Sequence, residues 1–190
     1  MDNALEVIEA GPLSTIQDRG RFGYQRFGIS ASGVMDVPAF RLANALVGND
    51  DDAAAIEMTL VGMTLKVRAP RCLIAYAGAS VPVTVDGNPV APGTSVIAEQ
   101  DALIAIGAMR GGLRGYLAVG GGIQCEPVLG SRSTHTRSGI GGLDGGPLKA
   151  GQLIPIFAAD GADSCRVLDP ALMPSFEGPV RVLLGPQDDL

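Results

Sequence analysis

Thr64-Leu-Lys-Val-Arg-Ala-Pro-Arg-Cys-Leu-Ile-Ala-Tyr-Ala-Gly-Ala-Ser-Val-Pro-Val-Thr-Val-Asp-Gly87 decides the fold class. Three short apolar runs, at 64–68, 72–76 and 81–85, are set apart by Pro and Gly. Such runs read as successive strands. Asp86-Gly87 closes the third run and is a strong signal for a tight turn between paired strands. Downstream, 96–98, 102–106 and 116–119 continue the rhythm, and 152–157 returns to it after an irregular stretch over 120–151. Upstream, Ala4-Leu-Glu-Val-Ile-Glu9 reads as a strand ended by Gly11-Pro12.

One helix stands out. Asp36 suits the N-cap and Pro38 the first turn, where a missing N–H costs little. Ala39, Phe40, Leu42, Ala43, Leu46 and Val47 recur at helical spacing, and Gly48 suits the C-terminal cap. Residues 51–57 are expected to add a short helical turn leading to Glu57. Residues 13–35 show neither a strand nor a helix period and read as a long ordered loop, of the kind that is functional in compact domains. The expectation is a mainly β chain with one clear helix and long glycine-rich loops. Regular short strands favour a closed or nearly closed β-barrel, which removes exposed edges.

Composition bounds the function. The chain has 190 residues, enough to bury a core without staples, and a net charge of −6, which disfavours nucleic acid and anionic membranes as the main partners. No apolar stretch approaches the ~20 residues of a membrane helix and the N-terminus lacks a signal-peptide pattern, so the expected location is cytoplasmic. Cys72, Cys125 and Cys165 form no metal or redox spacing and read as reduced thiols.

Two stretches are candidates for chemistry. In Ser30-Ala-Ser-Gly-Val-Met-Asp36, Ser32 and Gly33 let a backbone approach a ligand closely, just before a helix N-terminus that favours an anion or a carbonyl oxygen. The alternative is that Ser32 and Asp36 only cap the helix. In Leu129-Gly-Ser-Arg-Ser-Thr134, the hydroxyls of Ser131, Ser133 and Thr134 and the Arg132 fork make a carboxylate or phosphate cradle, or else a polar surface turn. The stretch lacks the G-x-x-x-x-G-K-[ST] pattern of a P-loop. Arg114 and Tyr116 alternate with Leu113 and Leu117, so they share a strand face that lines a pocket or meets solvent. The single histidine, His135, supplies neither a nucleophile elbow nor a metal set. Asp18, Asp36 and Glu57 are the carboxylates in the most structured contexts.

Gly11-Pro-Leu-Ser-Thr-Ile-Gln-Asp-Arg-Gly-Arg-Phe-Gly23 resembles the opening signature of the biotin-dependent carboxyltransferase / allophanate hydrolase subunit 2 family. Ser32-Gly-Val-Met-Asp36, Ala43-Asn-Ala-Leu-Val-Gly-Asn49, Ile56-Glu-Met-Thr-Leu60, Arg114-Gly-Tyr-Leu-Ala-Val-Gly-Gly-Gly122 and Leu129-Gly-Ser-Arg-Ser-Thr134 follow in the family's order. The ordered set covers residues 11 to about 156. One departure is Gly145-Gly146, where the family carries Gly-Arg.

The resemblance implies a cyclophilin-like barrel over 1–157, a linker over 158–178 and, at 179–190, the start of a second half that this chain lacks. It implies a reaction at a small amide or ureide carbonyl. On matching positions, Asp36 and Arg132 are the expected catalytic residues, and Ser32, Gly33, Arg114, Tyr116, Ser131, Ser133 and Thr134 the expected substrate contacts. The first implied activity is that of the C subunit of an ATP-dependent 5-oxoprolinase, hydrolysing 5-oxo-L-proline to L-glutamate. Its partners are a Kip-type B subunit (of the allophanate hydrolase subunit 1 type) and a LamB/YcsF-type A subunit, with ATP used by the complex. The alternatives are a carboxyltransferase served by biotin on a separate carrier, and a non-catalytic Kip-type regulatory binding protein. The isolated chain is expected to be inactive.

Overall fold

The computed structural model describes residues 3–157, 164–173, 178–179, 181–183 and 185–186. Among the described residues, eleven strands and one α-helix run in the order β1 (Ala4–Glu9), β2 (Ser14–Gln17), α1 (Val37–Val47), β3 (Ala55–Thr59), β4 (Thr64–Val67), β5 (Arg71–Ser80), β6 (Val83–Val85), β7 (Asn88–Pro89), β8 (Ser95–Glu99), β9 (Leu103–Ile106), β10 (Arg110–Val119) and β11 (Leu153–Pro155). The expected turn is present: Asp86 and Gly87 both take positive φ, 51° and 79°, and fold β6 back onto β7. Asp36 caps α1 by accepting from the Ala39 amide at 3.0 Å, and Gly48 ends it at φ 77°. The helical turn expected over 51–57 is not formed; Ala55–Thr59 is a strand that pairs with both β2 and β10.

All strand pairs are antiparallel, in a six-stranded sheet ordered β11-β1-β4-β9-β6-β7 and a five-stranded sheet ordered β2-β3-β10-β5-β8. The sheets do not close into the expected barrel. Loops cover edges that closure would have removed. The amides of Thr134 and Leu148 donate to the Ile16 and Ser14 carbonyls along β2, at 2.9 and 2.8 Å. At the start of β8, Ser95 donates to the Arg166 carbonyl at 2.9 Å and Leu168 to the Gly93 carbonyl at 2.8 Å. Thus part of the span read as a linker lies against β8. Of residues 179–190, expected to begin a second half, 180, 184 and 187–190 lie outside the described residues, and Pro179, Arg181, Val182 and Leu183 are not in a strand.

Strand alternation splits the apolar residues into two cores. Between the sheets lie Leu5, Val7, Ile56, Met58, Leu65, Val67, Ile74, Ile104, Leu117 and Ile154. On the outer face of the five-stranded sheet, Ala55, Leu73, Ala75, Ala77, Tyr116 and Ala118 meet Phe40, Ala43, Leu46 and Val47 of α1. Small residues on the strands let the helix sit close, and Tyr116 meets Phe40 edge-on, with ring centroids 6.0 Å apart. At the far end of α1, buried Asn44 accepts from the Asn49 side chain, which also donates to the Val119 carbonyl at the end of β10. Among the described residues, no helix is long and apolar enough to cross a membrane.

Leu117 and Leu113 lie on one strand with opposite surroundings, 0% and 61% exposed. Leu117→Ala is expected to cost about 2–5 kcal/mol in urea unfolding, whereas Leu113→Ala stays within about 0.5 kcal/mol. Equal losses at the two positions would overturn the two-sheet core.

Candidate functional site

The outer face of the five-stranded sheet also carries polar residues. Glu57 on β3 stands opposite Tyr116 on β10, and Thr59 opposite Arg114. The fold thereby puts Arg114 and Tyr116 on one face, as their spacing requires, and adds Glu57 and Thr59 to them. Tyr116 is fully buried and its hydroxyl donates to Glu57 Oε2 at 2.7 Å. The same oxygen accepts from the Met35 amide at 2.9 Å, and the Tyr116 hydroxyl accepts from the Asp36 amide at 2.7 Å. Burial first, and the Glu57 carboxylate beside it, push the Tyr116 phenol above its ordinary range. It therefore acts as a fixed neutral donor. Arg114 donates to Thr59 Oγ1 at 2.6 Å and lies 3.6 Å from Glu57 Oε1 through its Nε, which makes no hydrogen bond. The Arg114 side chain remains 26% exposed and that of Glu57 11%, so a solute meets this cluster chiefly at Arg114.

This arrangement answers the question the sequence left open at the helix N-terminus. The anions there belong to the chain: Asp36 caps Ala39, and Glu57 takes the Met35 amide. Ser32 sits three residues before Met35 with φ 55°, in the left-handed region, and its buried hydroxyl has no partner. Gly33, at φ 93°, presses on the Arg19-Gly20 backbone; a Cβ there would come within 2.7 Å of the Arg19 carbonyl oxygen. Ser32 and Gly33 thus lie against the chain's own Arg19-Gly20 loop.

The Leu129–Thr134 stretch does form a carboxylate cradle, and its occupant is Asp18. The Ser131 and Ser133 hydroxyls each donate to Asp18 Oδ1 at 2.6 Å, the Arg132 amide donates to Oδ2 at 2.6 Å, and the Gly20 amide donates to Oδ1 at 2.8 Å. The Thr134 hydroxyl donates to the Ile16 carbonyl at 3.0 Å and Arg132 Nε to the Cys125 carbonyl at 2.9 Å. Burial pushes the Asp18 carboxyl up, but the hydroxyls and amides outweigh it and hold the group below its usual range. Beside it Arg21 is 1% exposed and donates to the Ser133 and Val128 carbonyls, with its second terminal nitrogen unpartnered. The 139–146 loop closes over this knot: a Cβ on Gly141 would overlap the Ser133 carbonyl.

Sequence reasoning picked out the cradle but not its occupant, and it assigned no role to Arg21 or Glu57. The signal lay in the opening signature, where Asp18 and Arg21 sit among glycines and aromatics in a stretch without strand or helix period. His135 holds a turn, its carbonyl accepting from the Ser138 and Gly139 amides. Burial pushes the Cys72 thiol up to about 12 and the Cys125 thiol up to about 11, so neither supplies a thiolate at neutral pH. A separate groove of about 490 Å³, lined by Glu9, Val61, Met63, Thr64, Pro82 and Ile106, gathers no converging set of polar groups.

The two-sheet fold places the chain among carboxyltransferase domains. The structure superposes on the Kluyveromyces lactis urea carboxylase with a TM-score of 0.84 and 31% identity, covering 94% of this chain and 16% of that one. The family described as carboxyltransferase domain, subdomain A and B, matches residues 27–190, and the chain belongs to it. It is 42% identical over 152 residues to the C subunit of the Escherichia coli 5-oxoprolinase, covering 80% of this chain and 49% of that protein. It is 39% identical over 152 residues to the urea amidolyase of Saccharomyces cerevisiae, covering 80% of this chain and 8% of that one. The chain thus spans about half the length of the bacterial 5-oxoprolinase protein and a smaller share of the yeast one.

Asp18→Asn leaves two hydroxyls and two amides without an anion and is expected to cost about 2–4 kcal/mol at pH 7. The folded-state pKa lies below the ordinary 3.8. The stabilisation is therefore complete above the unfolded value and is lost as pH falls through the folded one. Urea titrations at pH 7 and at about pH 2–3 should show the gap between wild type and variant shrinking with acid; a constant gap would refute the ionised knot.

Proposed function

We propose that the chain is the carboxyltransferase-type part of a C subunit that works in the cytoplasm within an ATP-dependent 5-oxoprolinase. The observation that carries this reading is the 42% identity to a 5-oxoprolinase C subunit, together with a face chemically suited to the substrate. 5-Oxo-L-proline offers a carboxylate, a lactam carbonyl and a lactam N–H. The exposed end of Arg114 takes the carboxylate or the carbonyl oxygen. Glu57 Oε1, which has only the 3.6 Å ion pair with Arg114, accepts from the N–H. Tyr116 and the Met35 amide hold the other Glu57 oxygen and so orient the carboxylate. Hydrolysis adds water to the lactam carbonyl, breaks the C–N bond and leaves the protonated amine of L-glutamate.

In this reading the 131–134 stretch is not the phosphate site for ATP. The hydroxyls and the amide that would cradle a phosphate are committed to Asp18. In this reading ATP is held by a partner, either the Kip-type B subunit or the LamB/YcsF-type A subunit. Of the residues expected to be catalytic, Asp36 serves as the helix cap and Arg132 as part of the Asp18 cradle; both position other groups. Ser131, Ser133 and Thr134 do the same. Substrate contact passes to Arg114 and Glu57, with Ser32 and Gly33 shaping the loop beside them.

The similarity to urea amidolyase supports a second reading, transfer of a carboxyl group from biotin on a separate carrier to a ureide, which presents the same carbonyl and N–H pair to the same face.

The test is turnover by the assembled complex. Arg114→Ala is expected to lower kcat/KM for 5-oxoproline by roughly 10–100-fold, the worth of a charged hydrogen bond, mostly through KM. Arg114→Lys restores part of it. An unchanged kcat/KM would remove Arg114 from the site. Inactivity toward 5-oxoproline, with carboxyl transfer when a carboxybiotinylated carrier is supplied, would favour the second reading.

A further inference from the structure

We infer that the loop over 19–37 is a preformed docking surface for an acidic protein partner, held beside the Glu57–Arg114 face. The chain has five phenylalanines and no tryptophan, yet two of those phenylalanines, Phe22 and Phe27, are displayed on this loop at 70% and 64% exposure. Met35, 70% exposed, and Val37, 39% exposed, continue the apolar surface to the start of α1. Between residues 19 and 35 the sequence has Arg19, Arg21 and Arg26 and no Asp or Glu, although the whole chain is acidic. Arg19 and Arg26 are exposed, and the Arg26 guanidinium lies over the Phe27 ring at 4.6 Å.

Exposed apolar residues on a floppy loop would mean little, but this loop is fixed. Its base is the Asp18 knot and the buried Arg21 side chain. Arg21 N donates to the Ala31 carbonyl at 2.7 Å, and Phe27 N and Gly28 N close a tight turn onto Tyr24 and Gln25, each at 2.9 Å. Aromatic side chains flanked by Arg, with Lys absent and carboxylates absent over 19–35, are the composition of the energetic centre of protein interfaces. Preorganisation removes the ordering cost that a mobile loop would pay on binding.

Charge selects the occupant. Arg19 and Arg26 are exposed with no carboxylate between residues 19 and 35, so the complement of this surface carries Asp and Glu rather than a second set of the same arginines. The surface instead fits a different protein that offers an apolar cleft for Phe22 and Phe27, rimmed by Asp and Glu. This inference rests on the reading of the chain as one component of a larger enzyme.

The probe is the allophanate hydrolase subunit 1-type protein from the same genome, its binding measured by biolayer interferometry at 50 and 300 mM NaCl. Wild type is expected to bind, more slowly at the higher salt. Phe22→Ser with Phe27→Ser should weaken binding by at least about 100-fold, the effect of losing two aromatic anchors. Arg26→Glu, an exposed change, should slow association and flatten the salt dependence. Circular dichroism and Tm matching wild type would show that the variants fold. Variants that bind like wild type would overturn the docking surface and leave the multi-component reading intact. A wild type that does not bind would overturn that reading, and this inference with it.

Discussion

A single buried carboxylate holds together the two irregular stretches of the chain. Asp18 is 7% exposed and accepts from the Ser131 and Ser133 hydroxyls and from the Arg132 and Gly20 amides. An ionised carboxylate costs several kcal/mol to bury unless its lone pairs are met. Here they are met by groups 113–115 residues away in sequence and by its own loop. The main chain of Asp18 belongs to the knot as well: its amide donates to the Ser133 hydroxyl and its carbonyl accepts from Val34. One residue therefore registers the loop leading to α1, the end of β2 and the stretch before the 139–146 glycines. Gly141 is needed there because the Ser133 carbonyl presses where a side chain would begin.

The second determinant is strand alternation on β3 and β10. Because Ile56 and Leu117 must face the core between the sheets, their neighbours Glu57 and Tyr116 must face outward, toward α1. A polar pair on that face is tolerated because each finds a partner: Tyr116 donates to Glu57, and both meet the amides that open α1. The same alternation brings out Arg114, two residues from Tyr116 and opposite Thr59 at the end of β3. The site thus stands on the outside of the sandwich, on a sheet braced by its core, at the base of the loop that presents Phe22 and Phe27.

The parts of this structure that were legible in the sequence are those that repeat. The runs at 64–68, 72–76 and 102–106 became strands, Asp86-Gly87 became a turn between strands, and Asp36 and Gly48 bounded the helix. β2 left no such trace. Ser14, Thr15, Ile16 and Gln17 are all buried, so no alternation of polar and apolar residues marks the strand. β3 was hidden by the preceding Asp50-Asp-Asp-Ala-Ala54, whose composition favours a helix, and pairing on both sides decided against it. Two donors of the cradle, the Ser131 and Ser133 hydroxyls, were readable as a local cluster; Arg132 adds its backbone amide rather than its fork, and the Thr134 hydroxyl turns to Ile16 instead. The acceptor of the cradle was not readable, since one carboxylate more than a hundred residues distant carries no periodicity.

That difference bears on how the site should be read. Local clustering finds groups able to bind an anion, but the fold decides whether the anion is a solute or a residue. At 131–134, and again at the start of α1, the chain supplies the anion itself, through Asp18, Glu57 and Asp36. Once those donors are committed, Arg114 and the second oxygen of Glu57 are the members of the outer-face cluster with capacity left over and a path to solvent. They present one cationic donor fork and one anionic acceptor side by side. In the proposed reading Arg114 meets an oxygen of the substrate and Glu57 its N–H. On that reading the chemistry of the outer face is set by subtraction: the knots that fix the loops consume the anion sites, and what remains is offered to the amide of the substrate.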